Sequence, residues 1–241
     1  MQSFFIWKGM DSRAMGIITA GHAPIIRPEE RVKHVEIPGR SGDLTLTEGE
    51  NIYQPYIQTL TISARNASRL REIYNWLRGD GYVTFSGEPE KQQRARIIGA
   101  VTLNRISRNM DVWRGEIQFY CQPLKELLRN EAVTVTPGGS ATNRGDVTAL
   151  PKLRVTCTGD GSGGPMDTVI TIGGKSFTVV GNYATTILSI DCEAGIVTDP
   201  SEQENWTSYS SGAFPVLDVG VNTITGSGWS QIVIDRRERY L

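Results

Sequence analysis

Histidine, cysteine and long apolar runs are all scarce in this 241-residue chain, and each scarcity removes a class of function. The only histidines are His22 and His34, and neither lies in a triad or metal-ligand motif. Each reads as a surface or hydrogen-bonded loop residue. The three cysteines, Cys121, Cys157 and Cys192, are odd in number and far apart, which fits neither a zinc site nor a redox pair. They read as free thiols, buried or half-buried. Apolar stretches stop after a few residues, as in Phe4-Phe5-Ile6-Trp7, whereas a membrane helix needs about 20. The first residues show no basic segment and no small-residue cleavage site. The expectation is no secretory signal, no membrane and folding in a cytoplasm.

The short motifs carry no chemistry either. No phosphate-binding G-x-x-x-x-G-K-[ST] run occurs. Gly159-Asp160-Gly161-Ser162-Gly163-Gly164 looks like a nucleophile loop, but Asp160 stands where G-x-S-x-G needs its first glycine. A calcium loop built from Asp160, Ser162 and Asp167 would lack the ordered carboxylates and closing Glu of an EF-hand. A Gly-rich surface turn accounts for the segment better. Arg144-Gly145-Asp146 reads as a turn before a strand. No catalytic residue, cofactor or metal ligand is nominated, and the expectation is a protein without turnover.

What remains is enough to fold. Apolar residues make up 39% of the chain and charged ones 21%, and this length fits one large β domain or two ordinary ones. Residues 1–129 hold 18 Lys and Arg against 14 Asp and Glu, and residues 130–241 hold 7 against 12. That modest dipole could orient subunits, but neither half is basic enough for nucleic-acid binding as the main task.

The first half reads as β with one helix. From Asp111 to Cys121, Trp113, Ile117, Phe119 and Cys121 share one side and Arg114, Glu116, Gln118 and Tyr120 the other. Ala95, Ile97, Val101 and Leu103 give a similar face, with Gly99 marking a bulge. Arg108-Asn109-Met110-Asp111 is the expected turn between these two long strands. Further strands are expected at Ser3–Lys8, Val32–Ile37 and Leu60–Ala64. The helix runs from about Ala67 to Arg78, with Leu70, Ile73, Tyr74 and Leu77 in one stripe that Trp76 extends. Asn66 is its N-cap and Gly79 its left-handed stop.

A boundary is expected after Cys121-Gln122-Pro123, followed by a loop from Pro137 to Asn143. Beyond it no helix is expected, and short strands alternate with Gly-rich turns. Ile170–Ile172, Gly173-Gly174 and Lys175–Val179 form a hairpin that sets Ile170 opposite Phe177. Thr186–Asp191 with Gly195–Thr198, and Pro215–Val219 with Val221–Thr225, read as two more pairs. The fold class is mainly β: an N-terminal β domain with one packed helix over 1–130, and a C-terminal β-sandwich over 131–241. A rival function rests on Trp206, Tyr209 and Trp229 in Ser/Gly-rich surroundings. If exposed, they could stack on sugars and make this a carbohydrate-binding protein aiding host-surface attachment.

Several segments, in order along nearly the whole chain, carry a likeness. They include Ser3–Lys8, Ile37-Pro38-Gly39-Arg40-Ser41-Gly42-Asp43-Leu44, the helix with its following strand, and Tyr120-Cys121-Gln122-Pro123. In the second half they are Asn143-Arg144-Gly145, Leu150-Pro151-Lys152-Leu153, Leu188-Ser189-Ile190-Asp191, Phe214-Pro215-Val216-Leu217 leading to Gly220-Val221-Asn222, and the basic ending Arg236–Leu241. The pattern resembles the distal tail protein family of long non-contractile-tailed bacteriophages and prophages. That resemblance implies a ring of six subunits between the tail tube protein and the tail-tip protein, with DNA only passing through the lumen. It also implies an outward-projecting sandwich, of galectin or carbohydrate-binding-module type, that can hold baseplate or receptor-binding parts. The location implied is the virion tail tip, assembled in the host cytoplasm. The polar segment from about Ile25 to Tyr56 makes a poor core of its own. It is expected to be an arm reaching a neighbouring subunit, with Arg40 and Asp43 near the contact.

Overall fold

The computed structural model describes residues 3–47, 49, 51–184, 186–201 and 203–241. The chain is mainly β and divides into two compact units, Met1–Leu128 with Leu241, and Arg129–Tyr240.

The first unit contains β1 (Phe5–Trp7), β2 (Met10–Asp11), β3 (Ile17–Thr19), β4 (Val32–Glu36), β5 (Asp43–Thr47), β6 (Tyr56–Arg65), α1 (Leu70–Trp76), β7 (Asp80–Phe85), β8 (Lys91–Ser107) and β9 (Met110–Leu127). One antiparallel sheet runs in the order β2-β1-β7-β8-β9-β6-β3. Alternation on β9 decides which face closes: Ile117, Phe119 and Cys121 are buried, and Gln118 and Tyr120 between them are exposed. Phe119 is the centre of an aromatic cluster, meeting Phe5, Trp7 and Phe85 edge-on with centroids 5.5–5.7 Å away.

The helix is shorter than its sequence pattern. A 3-10 turn at Ala67–Arg69 precedes it, and only Leu70–Trp76 is α-helical. Asn66 caps that turn by accepting the Ser68 N–H at 3.1 Å; the helix stops before the expected Gly79, with Leu77 as its C-cap, and Gly79, at φ 74°, lies in the connection to β7. Ile73 and Leu77 are buried, and the Trp76 ring stacks on Phe5 at 5.6 Å. Tyr74 does not join this stripe in the core: it is 39% exposed, and its hydroxyl accepts the Leu103 N–H.

Gly99, at φ 71°, lies in the register shift between Ile98 and Thr102, where the bulge was expected. Two expectations are corrected. Met110 and Asp111 belong to β9 and not to the turn, because Met110 already pairs with Ser107. The chain also does not break after Pro123. β9 continues to Leu127 and pairs with Lys91–Gln93, and the register shift between Gln93 and Ala95 falls beside Pro123. A proline is tolerated in a strand where the ladder is already interrupted.

The second unit is a sandwich of β10 (Val133–Val135), β11 (Ser140–Asn143), β12 (Lys152–Cys157), β13 (Met166–Ile172), β14 (Lys175–Asn182), β15 (Ile187–Asp191), β16 (Ile196–Thr198), β17 (Ser210–Gly212), β18 (Gly220–Ser227) and β19 (Trp229–Asp235). Its two sheets run β10-β19-β12-β15-β16 and β11-β18-β13-β14-β17. Both contribute to one core, from Val155, Leu188 and Ile232 on one side to Ile170, Phe177 and Ile224 on the other. Gly173 and Gly174 both have positive φ, 59° and 77°, as a primed hairpin turn requires, and Ile170 stands opposite Phe177. The β15–β16 pair forms as expected. Ser140–Asn143 is a strand rather than a loop. Pro215–Val219 does not pair with Val221–Thr225: Leu217 bridges Ala149, while β18 pairs with β11 and β13. Cys121, Cys157 and Cys192 are free and buried, and burial pushes the thiols of Cys121 and Cys192 up to about 12.

Candidate assembly surface

The segment between β3 and β6 holds a two-stranded hairpin that contributes nothing to either core. Among the described residues β4 and β5 pair only with each other, and no residue of either strand is buried. An isolated two-stranded hairpin is marginally stable in water. Its root supplies the anchorage. Arg31 donates its N–H to the Ile52 carbonyl at 2.8 Å, Gln54 donates to Glu29 at 2.7 Å, and Glu30 bridges Tyr53, which is buried.

Register sorts the side chains into two unlike faces. Lys33 stands opposite Leu46 and Val35 opposite Leu44, so one face is largely apolar. Leu44 is 39% exposed, Leu46 45%, and Ile37 just beyond the strand 38%. The other face presents Val32 with Thr47, His34 with Thr45, and Glu36 with Asp43. His34 Nδ1 lies 3.4 Å from the Thr45 hydroxyl. The last of these pairs sets two exposed carboxylates directly opposite each other, an arrangement that is unfavourable without a nearby cation.

Arg40 and Asp43, the residues expected near a subunit contact, sit at the end of this hairpin. Arg40 lies in the tip turn, its N–H donating to the Ile37 carbonyl at 3.1 Å, and Asp43 is the first residue of β5. Gly39 and Gly42, both at φ 81°, shape the turn. The residues that sequence reasoning missed are Val35, Leu44 and Leu46. The signal was present in the alternation Asp43-Leu44-Thr45-Leu46-Thr47.

The three aromatic residues of the sugar-binding reading do not form one platform. Trp229 is 3% exposed and packs in the sandwich core, its indole N–H donating to the Val169 carbonyl at 2.9 Å. That burial corrects its candidacy, because a ring inside the core offers no face to a sugar. Trp206 is half-buried against the same core, with its N–H on Glu204 at 3.1 Å. Tyr209, 63% exposed, lies on the same 3-10 turn as Trp206.

The other motifs resolve into local structure. Asp160 Oδ1 accepts the N–H groups of Ser162 and Gly164 at 2.8 and 2.7 Å, and Asp167 accepts Gly181. The backbone of Arg144-Gly145-Asp146 is bonded to Glu238, Asn143 and Arg239. His22 touches the Ser86 hydroxyl at the surface. Among the described residues no three His, Cys, Asp or Glu side chains gather in metal-binding geometry, and no helix is long and apolar enough to cross a membrane.

A sheet domain with one short helix, an uncovered hairpin and a β-sandwich make a fold shared with a solved phage protein. The likeness is to a solved hub component: the Dit protein of phage SPP1, described as a paradigm of the hub adsorption apparatus in phages infecting Gram-positive hosts, has a TM-score of 0.79 and 17% identity, covering 100% of both chains. A component of the phage p2 baseplate in its activated conformation has a TM-score of 0.47 and 5% identity over 97% of this chain and 98% of that one, too distant to carry weight. No family model matches the chain, and no curated protein matches it.

Proposed function

We propose that this chain is a non-enzymatic structural subunit of a phage tail tip, a distal tail protein that closes into a ring of six between the tail tube and the tail-tip protein. The observation that carries the reading is the fold match to phage SPP1 Dit, which spans both units over the full length of both chains. The ring leaves a passage for DNA. The sandwich faces outward, where it can hold baseplate or receptor-binding parts. Assembly takes place in the host cytoplasm, and the product resides in the virion.

The hairpin arm supports the ring. Its apolar face has no cover within the described chain, and a neighbour's surface would bury Leu44 and Leu46 while a neighbour's cation relieved Glu36 and Asp43. A head-to-tail contact of this kind closes a ring when its rotation divides the circle. Arg40 lies near the same contact.

Light scattering across a concentration series, with negative-stain images of the largest species, tests the proposal. Closed six-membered rings with a central hole are expected, formed alone or on adding the tube protein. A strict monomer under both conditions overturns it.

A further inference from the structure

The outer face of one sandwich sheet carries a groove of about 260 Å3 that the assembly reading leaves unused. Its lining includes Lys152, Arg154, Ser189, Pro200, Val233 and Asp235. All but Pro200 stand on β19, β12 and β15, three adjacent strands. Alternation on β12 sends Leu153 and Val155 into the core and leaves Arg154, between them, exposed.

Register shows how the charges are matched. Lys152 stands opposite Asp191 on one side and Asp235 on the other. Asp191 also takes both nitrogens of the Arg237 guanidinium, each at 2.9 Å. Lys152 and Arg237 thus stand among carboxylates. Arg154 stands opposite Ser189 and Val233, which carry no charge, and its guanidinium makes no ion pair or hydrogen bond with the described residues. Among the described residues one guanidinium fork on the groove's lining is left over, on the strand next to Ser189, a lining residue that is itself only 7% exposed.

That fork defines the ligand chemistry. A guanidinium grips phosphate or carboxylate through two parallel N–H bonds. A hydroxyl beside it suits a ligand with hydroxyls of its own. No aromatic ring is among the groove's lining residues, so stacking on a sugar face is not its mode. Residues 130–241 are acidic, with 7 Lys and Arg against 12 Asp and Glu. The long-range field therefore repels anions, and attraction has to come from the fork at short range.

We propose that this groove binds an oxyanion on a hydroxylated skeleton, a phosphorylated polyol or a sugar acid, with Arg154 gripping the anion and Ser189 meeting an adjacent hydroxyl. The site belongs to one unit and is independent of whether the chain closes into a ring.

Saturation-transfer NMR on the full chain tests it, with glycerol 3-phosphate and glucuronate as probes, neutral glycerol as control and inorganic phosphate as competitor. Millimolar binding is expected for at least one anionic probe and none for glycerol, and the tighter probe identifies the source. Arg154→Gln weakens that binding about tenfold and Ser189→Ala about threefold. Circular dichroism shows both variants folded, since Arg154 is exposed and Ser189→Ala only trims a hydroxyl. Inorganic phosphate competing as well as glycerol 3-phosphate itself binds overturns the hydroxylated skeleton. Absence of binding by either probe, or equal affinity in Arg154→Gln, overturns the site.

Discussion

Trp7 and Trp76 exchange hydrogen bonds: each indole N–H donates to the other residue's main-chain carbonyl, at 3.1 and 3.2 Å. The pair fastens the end of α1 to β1 across 69 residues of sequence. Phenylalanine at either position keeps most of the packing and loses one bond, at a cost of about 1–2 kcal/mol. Urea denaturation of the single and double variants measures this. The double variant should depart from additivity, because the two bonds share one geometry.

Leu44→Ser combined with Leu46→Ser tests the arm as an interface. Both side chains are exposed, so the variant should melt like the parent, within about 0.5 kcal/mol. Its assembly should nevertheless fall sharply in light scattering. Deleting Gly39–Gly42 should also reduce oligomer size, and an unchanged size in both variants removes the arm from the interface.

Glu88 gives the first unit an acid-sensitive element. Burial alone would raise its carboxyl, but hydrogen bonds from Lys125 at 2.6 Å and Lys91 at 2.7 Å outweigh it and hold the group below its ordinary 4.5. A folded-state value below the unfolded one contributes stability that is fully present above pH 4.5 and disappears as pH falls through the lowered value. Glu88→Gln should flatten that part of the stability–pH curve in denaturant titrations. At neutral pH it should cost about 1–2 kcal/mol, tempered by partial solvent contact, because Lys125 is left buried with a weaker partner.

Trp229 and Tyr209 should separate in a stability assay. Trp229→Ala removes a core ring and its bond to Val169, and should cost about 3–5 kcal/mol. Tyr209→Ala, at an exposed site, should stay within about 0.5 kcal/mol. A Trp229 variant that melts like the parent would contradict the burial described above.

Features governed by local chemistry were legible in the sequence. Asn66 marked the start of the helical segment, Gly99 the bulge, and Gly173-Gly174 the hairpin turn, because cap and positive-φ requirements depend on few neighbours. Elements fixed by distant partners were not. Leu217 bonds with Ala149 rather than with a strand close by, and Pro123 sits inside a long strand only because the bulge near Gln93 accommodates it. Of the arm, the tip with Arg40 and Asp43 was readable. Its apolar face emerged only when register put Val35 opposite Leu44. Arg154 was unreadable as a candidate, since nothing local shows that its cross-strand neighbours carry no charge.

The three buried thiols bear on endurance. An isolated reactive cysteine becomes a point of oxidation or cross-linking once a protein leaves a reducing compartment. Cys121, Cys157 and Cys192 are all withdrawn from solvent, and burial disfavours the thiolate of each. The chain can therefore pass from the reducing interior of a cell into air-equilibrated surroundings without cross-linking or oxidation at its cysteines.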